Sequence, residues 1–130
     1  MIKFIADLFK DRKGKILPYI KEIKRLERLT IIRFHGFMDS STIPIINENI
    51  GSYTRDALDR NILLDFKDVT NVDSSTVASI ILLLNNVQKS DRKLGLINVT
   101  NQLINFLRVE RIETLIKIYK SEEEGLKDLS

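Results

Sequence analysis

The chain has 130 residues, 43% of them hydrophobic, enough for one domain with an ordinary core and too apolar for a disordered chain. It has no Cys and one His, His35, so disulfides and thiolate metal sites are excluded and any histidine chemistry must centre on one position. The formal net charge of +3 is uneven: residues 1–28 hold nine Lys/Arg against four Asp/Glu, and residues 29–130 hold twelve against fourteen. A near-neutral body lacks the broad basic face that nucleic acid requires, so no nucleic-acid partner is expected. No apolar run reaches the ~20 residues of a membrane-spanning helix. The N-terminus lacks a signal-peptide pattern, and a cytoplasmic protein is the expectation.

Along the chain, Ile2, Ile5, Leu8 and Phe9 recur at helical spacing, with Lys3 and Lys10 beside them. This basic amphipathic segment, residues 1–18, is read as an N-terminal extension that packs on the domain, on another subunit or, loosely, on an anionic membrane. Asp11 to Lys15 is a charged break, and Pro18 starts a new segment. Residues 19–28 fit a helix through Ile20, Ile23 and Leu26, or an edge strand; a strand is preferred because the next segment needs a partner. Residues 29–34 are β-branched and aromatic and end near Gly36, a strand pattern. The Asp39-Ser40-Ser41-Thr42 cluster and Pro44 open a helix toward Leu58. Residues 61–66 read as a buried strand, 76–89 as a helix with apolar positions 77, 80, 81, 84 and 87, and 94–99 as a strand. A short helix over 101–109, a strand over 115–119 and a final helix complete the chain. Ser121 with Glu124 supplies the capping box of that last helix. Strands alternating with helices imply an α/β domain over 19–130 with a mostly parallel sheet, made mixed by the leading hairpin.

Residues 62–84, ILLDFKDVTNVDSSTVASIILLL, are the most informative stretch. An apolar strand leads through Asp65, Asp68 and Asp73 to Ser74, Ser75 and Thr76, and then into a helix. Hydroxyls at a helix N-terminus sit where backbone N–H groups and the helix dipole favour a phosphate. The same serine could serve only as a cap. Some of Val77, Ala78 and Leu82 should remain exposed beside Ser74 as an apolar surface, because the helix has few polar positions to face water. That surface would take a partner or a second copy of the chain.

Two motifs carry a family resemblance. Residues 64–75, LDFKDVTNVDSS, and residues 34–39, FHGFMD, resemble the strand-loop motif and the second-strand end of the STAS domain, shared by anti-sigma factor antagonists, stressosome proteins and sulphate-transporter tails. The resemblance implies a single STAS-like α/β domain with helices mainly on one face of the sheet. It implies a non-catalytic regulatory module without cofactor or metal. Ser74 would be the phosphorylated hydroxyl, with Ser75 the second candidate. Asp73, Asp65 and Asp39 would support the loop, and Ser75, Thr76, Val77 and Ala78 would meet the partner. That partner would be an anti-sigma factor with serine kinase activity, or other STAS proteins. Where antagonists continue with Gly-Leu-Gly, this chain has Thr76-Val77-Ala78-Ser79, a departure shared with stressosome-type members. The alternatives are an accessory subunit of a stressosome or a lipid-transport ATPase, and a small-ligand binder. An acidic metal pocket of Asp65, Asp68 and Asp73 and a receiver domain rank below these. The receiver lacks its acidic pair, and a nucleophilic triad or a glycine-rich phosphate loop has no supporting motif.

Overall fold

Alternation and β-branching dictate the sheet. The segment LTIIRFHGFM has β-branched and aromatic side chains on both sides of its backbone, and such a strand must be covered on both faces. In the computed structural model, which describes residues 20–39, 60–112 and 114–130, it forms the second strand of five. The strands are β1 (Ile20–Arg25), β2 (Leu29–Met38), β3 (Asn61–Val72), β4 (Leu94–Ile97) and β5 (Lys117–Tyr119). The helices among the described residues are α1 (Ser74–Lys89), α2 (Asn101–Val109) and α3 (Glu122–Leu129). The expected N-terminal extension, the hydroxyl cluster at 40–42 and the helix toward Leu58 lie outside the described residues.

The spatial order is β1-β2-β3-β4-β5. β1 and β2 form an antiparallel hairpin, closed by a tight turn in which the Leu26 amide donates to the Leu29 carbonyl at 2.7 Å. The other three pairings are parallel. The strand preference for 19–28 and the mixed sheet are therefore both realised. β3 runs to Val72, six residues past the expected end at Phe66, because its polar second half stays paired with β2 through Met38. Two register shifts in this ladder flank Gly36, whose φ of 83° lies in the left-handed region that glycine occupies without a Cβ clash.

Two cores sit on the two faces of the sheet. On one, α1 and α2 cover Ile32, Phe34, Ile62, Leu64, Phe66 and Leu96, with the rings of Phe34 and Phe66 tilted at a 5.5 Å centroid distance. On the other, Leu129 of α3 and Tyr119 of β5 pack on Leu29, Ile31, Leu63 and Ile97. Each such side chain contributes about 1.5–3 kcal/mol when fully buried. Among the described residues, two helices thus lie on one face and the C-terminal helix on the other. Among the described residues, no helix is long and apolar enough to cross a membrane.

Asn61 ties the base of the sheet together: its side chain accepts from the Lys93 amide at 2.9 Å and donates to the Leu129 carbonyl at 2.8 Å. Tyr119 is pinned where α3 meets the sheet, its hydroxyl donating to Asp128 at 2.5 Å. Burial and that hydrogen bond push the phenol above its ordinary pKa. Because the ring is fixed at both ends, it cannot retreat from a new neighbour. A Cβ on Gly95 would lie 2.5 Å from Tyr119 Cε2 and 3.0 Å from Leu129 Cδ1. G95A is therefore expected to lower stability by about 1–3 kcal/mol, as overpacked cores do. Urea unfolding followed by circular dichroism checks this, and an unchanged midpoint would contradict the close packing.

Candidate functional site

The turn from β3 to α1 is built by one aspartate. Asp73 has extended backbone (φ −122°, ψ −177°) and is the N-cap of α1. Its backbone N–H donates to the Met38 carbonyl at 3.2 Å, and its own carbonyl accepts the Thr76 amide at 3.1 Å. Its carboxylate accepts the Ser75 amide at 2.9 Å and also the Ser75 hydroxyl. An N-cap side chain of this kind satisfies a helix-end donor that would otherwise lack a partner.

The three consecutive hydroxyls meet different fates. Thr76 is 1% exposed and donates to the same Met38 carbonyl at 3.4 Å. Ser75 is half-buried and turned back to Asp73. Ser74, the first residue of the helix, is exposed. The first turn of α1 carries no acidic side chain, so the positive end of the helix dipole is offset there only by the cap. Asp39 follows Met38 as Asp73 follows Val72, and Met38 and Val72 are register partners. The two aspartates therefore leave neighbouring strand ends side by side.

The outer face of α1 runs from Ser74 through Ala78 and Leu82 to Asn85, all exposed, with Ile81 half-buried beside them. Steps of four residues keep Ser74, Ala78 and Leu82 on one stripe. Leu82 is 51% exposed, an uncovered apolar side chain two turns from Ser74. The sequence reading needs two corrections here. Thr76 and Val77, assigned to the partner surface, are turned inward, Val77 at 3% exposure, because they share a face with Ile80, Leu83, Leu84 and Val87.

Asp65 is also corrected. It does not support the turn at Ser74 but lies in mid-strand on the α3 face, 5% exposed. Its carboxylate accepts from Arg33 Nη1 at 2.8 Å, Asn98 Nδ2 at 2.8 Å and the Lys67 amide at 2.9 Å. Asn98 has left-handed backbone (φ 55°), the conformation its residue type tolerates. Arg33 also donates to Glu122 at 2.5 Å and to Glu22 at 3.1 Å, and so links β1, β2, β3 and α3. Burial pushes the Asp65 carboxyl up, but the bonds from Asn98, the Lys67 amide and Arg33 outweigh it and hold the group below its ordinary range.

Asp68 pairs instead with Lys21 at 2.6 Å on the surface. Asp65, Asp68 and Asp73 thus have separate partners and do not assemble one acidic pocket. An open cleft of about 510 Å³ overlies the Arg33 cluster, lined also by Lys67, Lys120 and Ser121. Sequence reasoning missed Arg33. The signal was there: Arg33 and Asp65 are single charges inside apolar strand runs, and such charges need each other.

The fold has known counterparts. The family model described as the STAS domain matches residues 21–125, and the chain belongs to that family. No curated protein matches the chain in sequence. Its fold is similar to that of a proposed anti-sigma factor antagonist from Thermotoga maritima (16% identity, TM-score 0.74, 82% of this chain and 92% of that one). It is also similar to the anti-sigma factor antagonist SpoIIAA in its unphosphorylated form (18%, TM-score 0.65, 82% and 94%). The Bacillus cell fate determinant SpoIIAA in its phosphorylated form matches as well (16%, TM-score 0.68, 84% and 98%). At these identities the likeness establishes the fold.

The Asp65 cluster generates a pH prediction. A carboxyl held below its unfolded pKa stabilises the fold fully above the usual carboxylate range, and that contribution is lost as pH falls through its folded value. D65N should cost about 1–3 kcal/mol at pH 7, since it takes the charge from a buried, fully bonded acceptor. It should also flatten the loss of stability between about pH 5 and pH 2. Denaturant titrations across pH check both effects; parallel curves for the two proteins would remove Asp65 from the acid response.

Proposed function

We propose that this chain is a regulatory protein-binding module of the anti-sigma factor antagonist type, switched by phosphorylation of Ser74 by a partner serine kinase. The unmodified protein docks its partner through the turn at Asp73 and the outer stripe of α1. The partner is an anti-sigma factor with kinase activity, or another STAS protein of a stressosome-type assembly.

One observation carries the reading. Of the three hydroxyls at the start of α1, Ser74 is the exposed one, and it heads a stripe containing Ala78 and the uncovered Leu82. An apolar stripe beside a modifiable hydroxyl couples docking to charge. A phosphoserine brings about −1.5 to −2 charge. The end of α1 accommodates it, because the N-terminal dipole favours an anion by about 0.3–1 kcal/mol. A partner surface fitted to a neutral hydroxyl and an apolar stripe does not accommodate it, so the charge acts on docking. Structures of SpoIIAA with and without phosphate are consistent with such a switch on this fold.

The chain recovered from its native host should carry a single phosphate, mapped by tandem mass spectrometry to Ser74, and S74A should carry none. S74A should keep the unfolding free energy within about 0.5 kcal/mol, as surface substitutions do. Equal phosphate on wild type and S74A would overturn the assignment.

A further inference from the structure

Two serines stand side by side at the start of α1, and sequence alone gives no reason for a kinase to prefer one. The structure supplies a reason in the residue before them. The Asp73 carboxylate holds Ser75 at two points, the backbone amide at 2.9 Å and the side-chain hydroxyl. Ser75 Oγ is thereby turned toward the cap, in a half-buried position, while Ser74 Oγ belongs to an exposed residue. We propose that Asp73 is a positioning residue that selects Ser74 over Ser75 as the phosphoryl acceptor.

The selection follows from what transfer demands. The serine Oγ–P bond forms as the bond between the γ-phosphorus and the β,γ-bridging oxygen of a nucleoside triphosphate breaks. The nucleoside diphosphate leaves, and the hydroxyl proton passes to a base on the kinase. The attacking hydroxyl must therefore offer its lone pair in line with the phosphate and its proton to the kinase base. The Ser75 hydroxyl already donates a hydrogen bond to a charged acceptor in its own chain. A hydrogen bond to a charged group must break first, and that requirement lowers transfer to Ser75 by roughly ten- to a hundredfold. The like charge of Asp73 also repels the incoming phosphate more strongly at Ser75, which touches it, than at outward-facing Ser74. The same carboxylate caps the helix, so one group both fixes the turn and restricts its chemistry.

The inference rests on the reading of Ser74 as the modified site, and the experiment separates the two. Wild type, D73G, D73N and S74A are expressed as full chains in the native host, and phosphate at residues 74 and 75 is quantified by tandem mass spectrometry. Glycine is nearly as good an N-cap as aspartate but offers no acceptor, whereas asparagine caps well and retains a side-chain oxygen. Wild type should carry phosphate on Ser74, with Ser75 below about a tenth of that level. D73G should raise the Ser75 to Ser74 ratio about tenfold or more, and D73N, which keeps an acceptor oxygen but loses the charge, should raise it by less. A D73G protein that is folded and still modified only at Ser74 overturns the selection and leaves the Ser74 reading intact. Wild type with phosphate on neither serine overturns both. Should D73G fail to fold, S74A decides: with Asp73 in place Ser75 should stay unmodified, and phosphate on Ser75 at the wild-type Ser74 level overturns the proposal.

Discussion

The parallel pairing of β2 with β3 is the constraint on which the rest of the structure depends. It continues beyond the point where β4 stops pairing, and it ends with Met38 opposite Val72. The Met38 carbonyl then accepts both the Asp73 amide and the Thr76 hydroxyl. A strand end on one side of the crossover thus fixes the turn on the other. That turn sets the phase of α1, and the phase decides which hydroxyl faces water. Had β3 ended at Phe66, nothing in the sheet would anchor the cap.

Helix phase is also where the sequence was hardest to read. Ile80 to Leu84 are five consecutive apolar residues, so period alone could not say which of them face water. Packing decides: Ile80, Leu83 and Leu84 go inward, and Leu82 stays out. Strand cores were legible because Ile31-Ile32 and Ile62-Leu63-Leu64 are runs that only two-sided burial explains. The end of β3 was not legible, because Lys67, Asp68, Thr70 and Asn71 are polar residues on an exposed extension and the register shifts beside them break any period. The aspartates misled for a related reason. Asp65, Asp68 and Asp73 crowd one stretch of sequence, yet Asp65 pairs with Arg33, Asp68 pairs with Lys21 along the same cleft, and Asp73 lies beyond them in the turn that caps α1. The strand-to-helix turn at Asp73 and the domain family were readable because the strand-loop motif is local and contiguous. The Arg33 cluster was not, since it joins residues up to 89 positions apart.

The two charged regions have different physical tasks. Arg33 gathers Glu22, Asp65 and Glu122 on the α3 face and locks four elements together. A change there acts on stability. The Ser74 turn lies at the head of a helix on the opposite face, with its own hydrogen bonds to Asp73 and Met38 and an exposed side chain. A charge added there meets solvent and a helix dipole, with little of the core to disturb. On the proposed reading, charge added at Ser74 would act without unfolding the domain, because that turn and the stabilising ionic network are kept apart.

The most direct test is to install phosphoserine at position 74 by expanded-code expression and compare it with the unmodified chain. Amide chemical shifts, the unfolding free energy and affinity for the proposed kinase partner are measured side by side. The account predicts shift changes centred on the Asp73 turn and the first turns of α1, an unfolding free energy unchanged within about 1 kcal/mol, and a loss of affinity of at least about tenfold. Shift changes spread through both cores with a lowered unfolding free energy, or undiminished affinity, would contradict it.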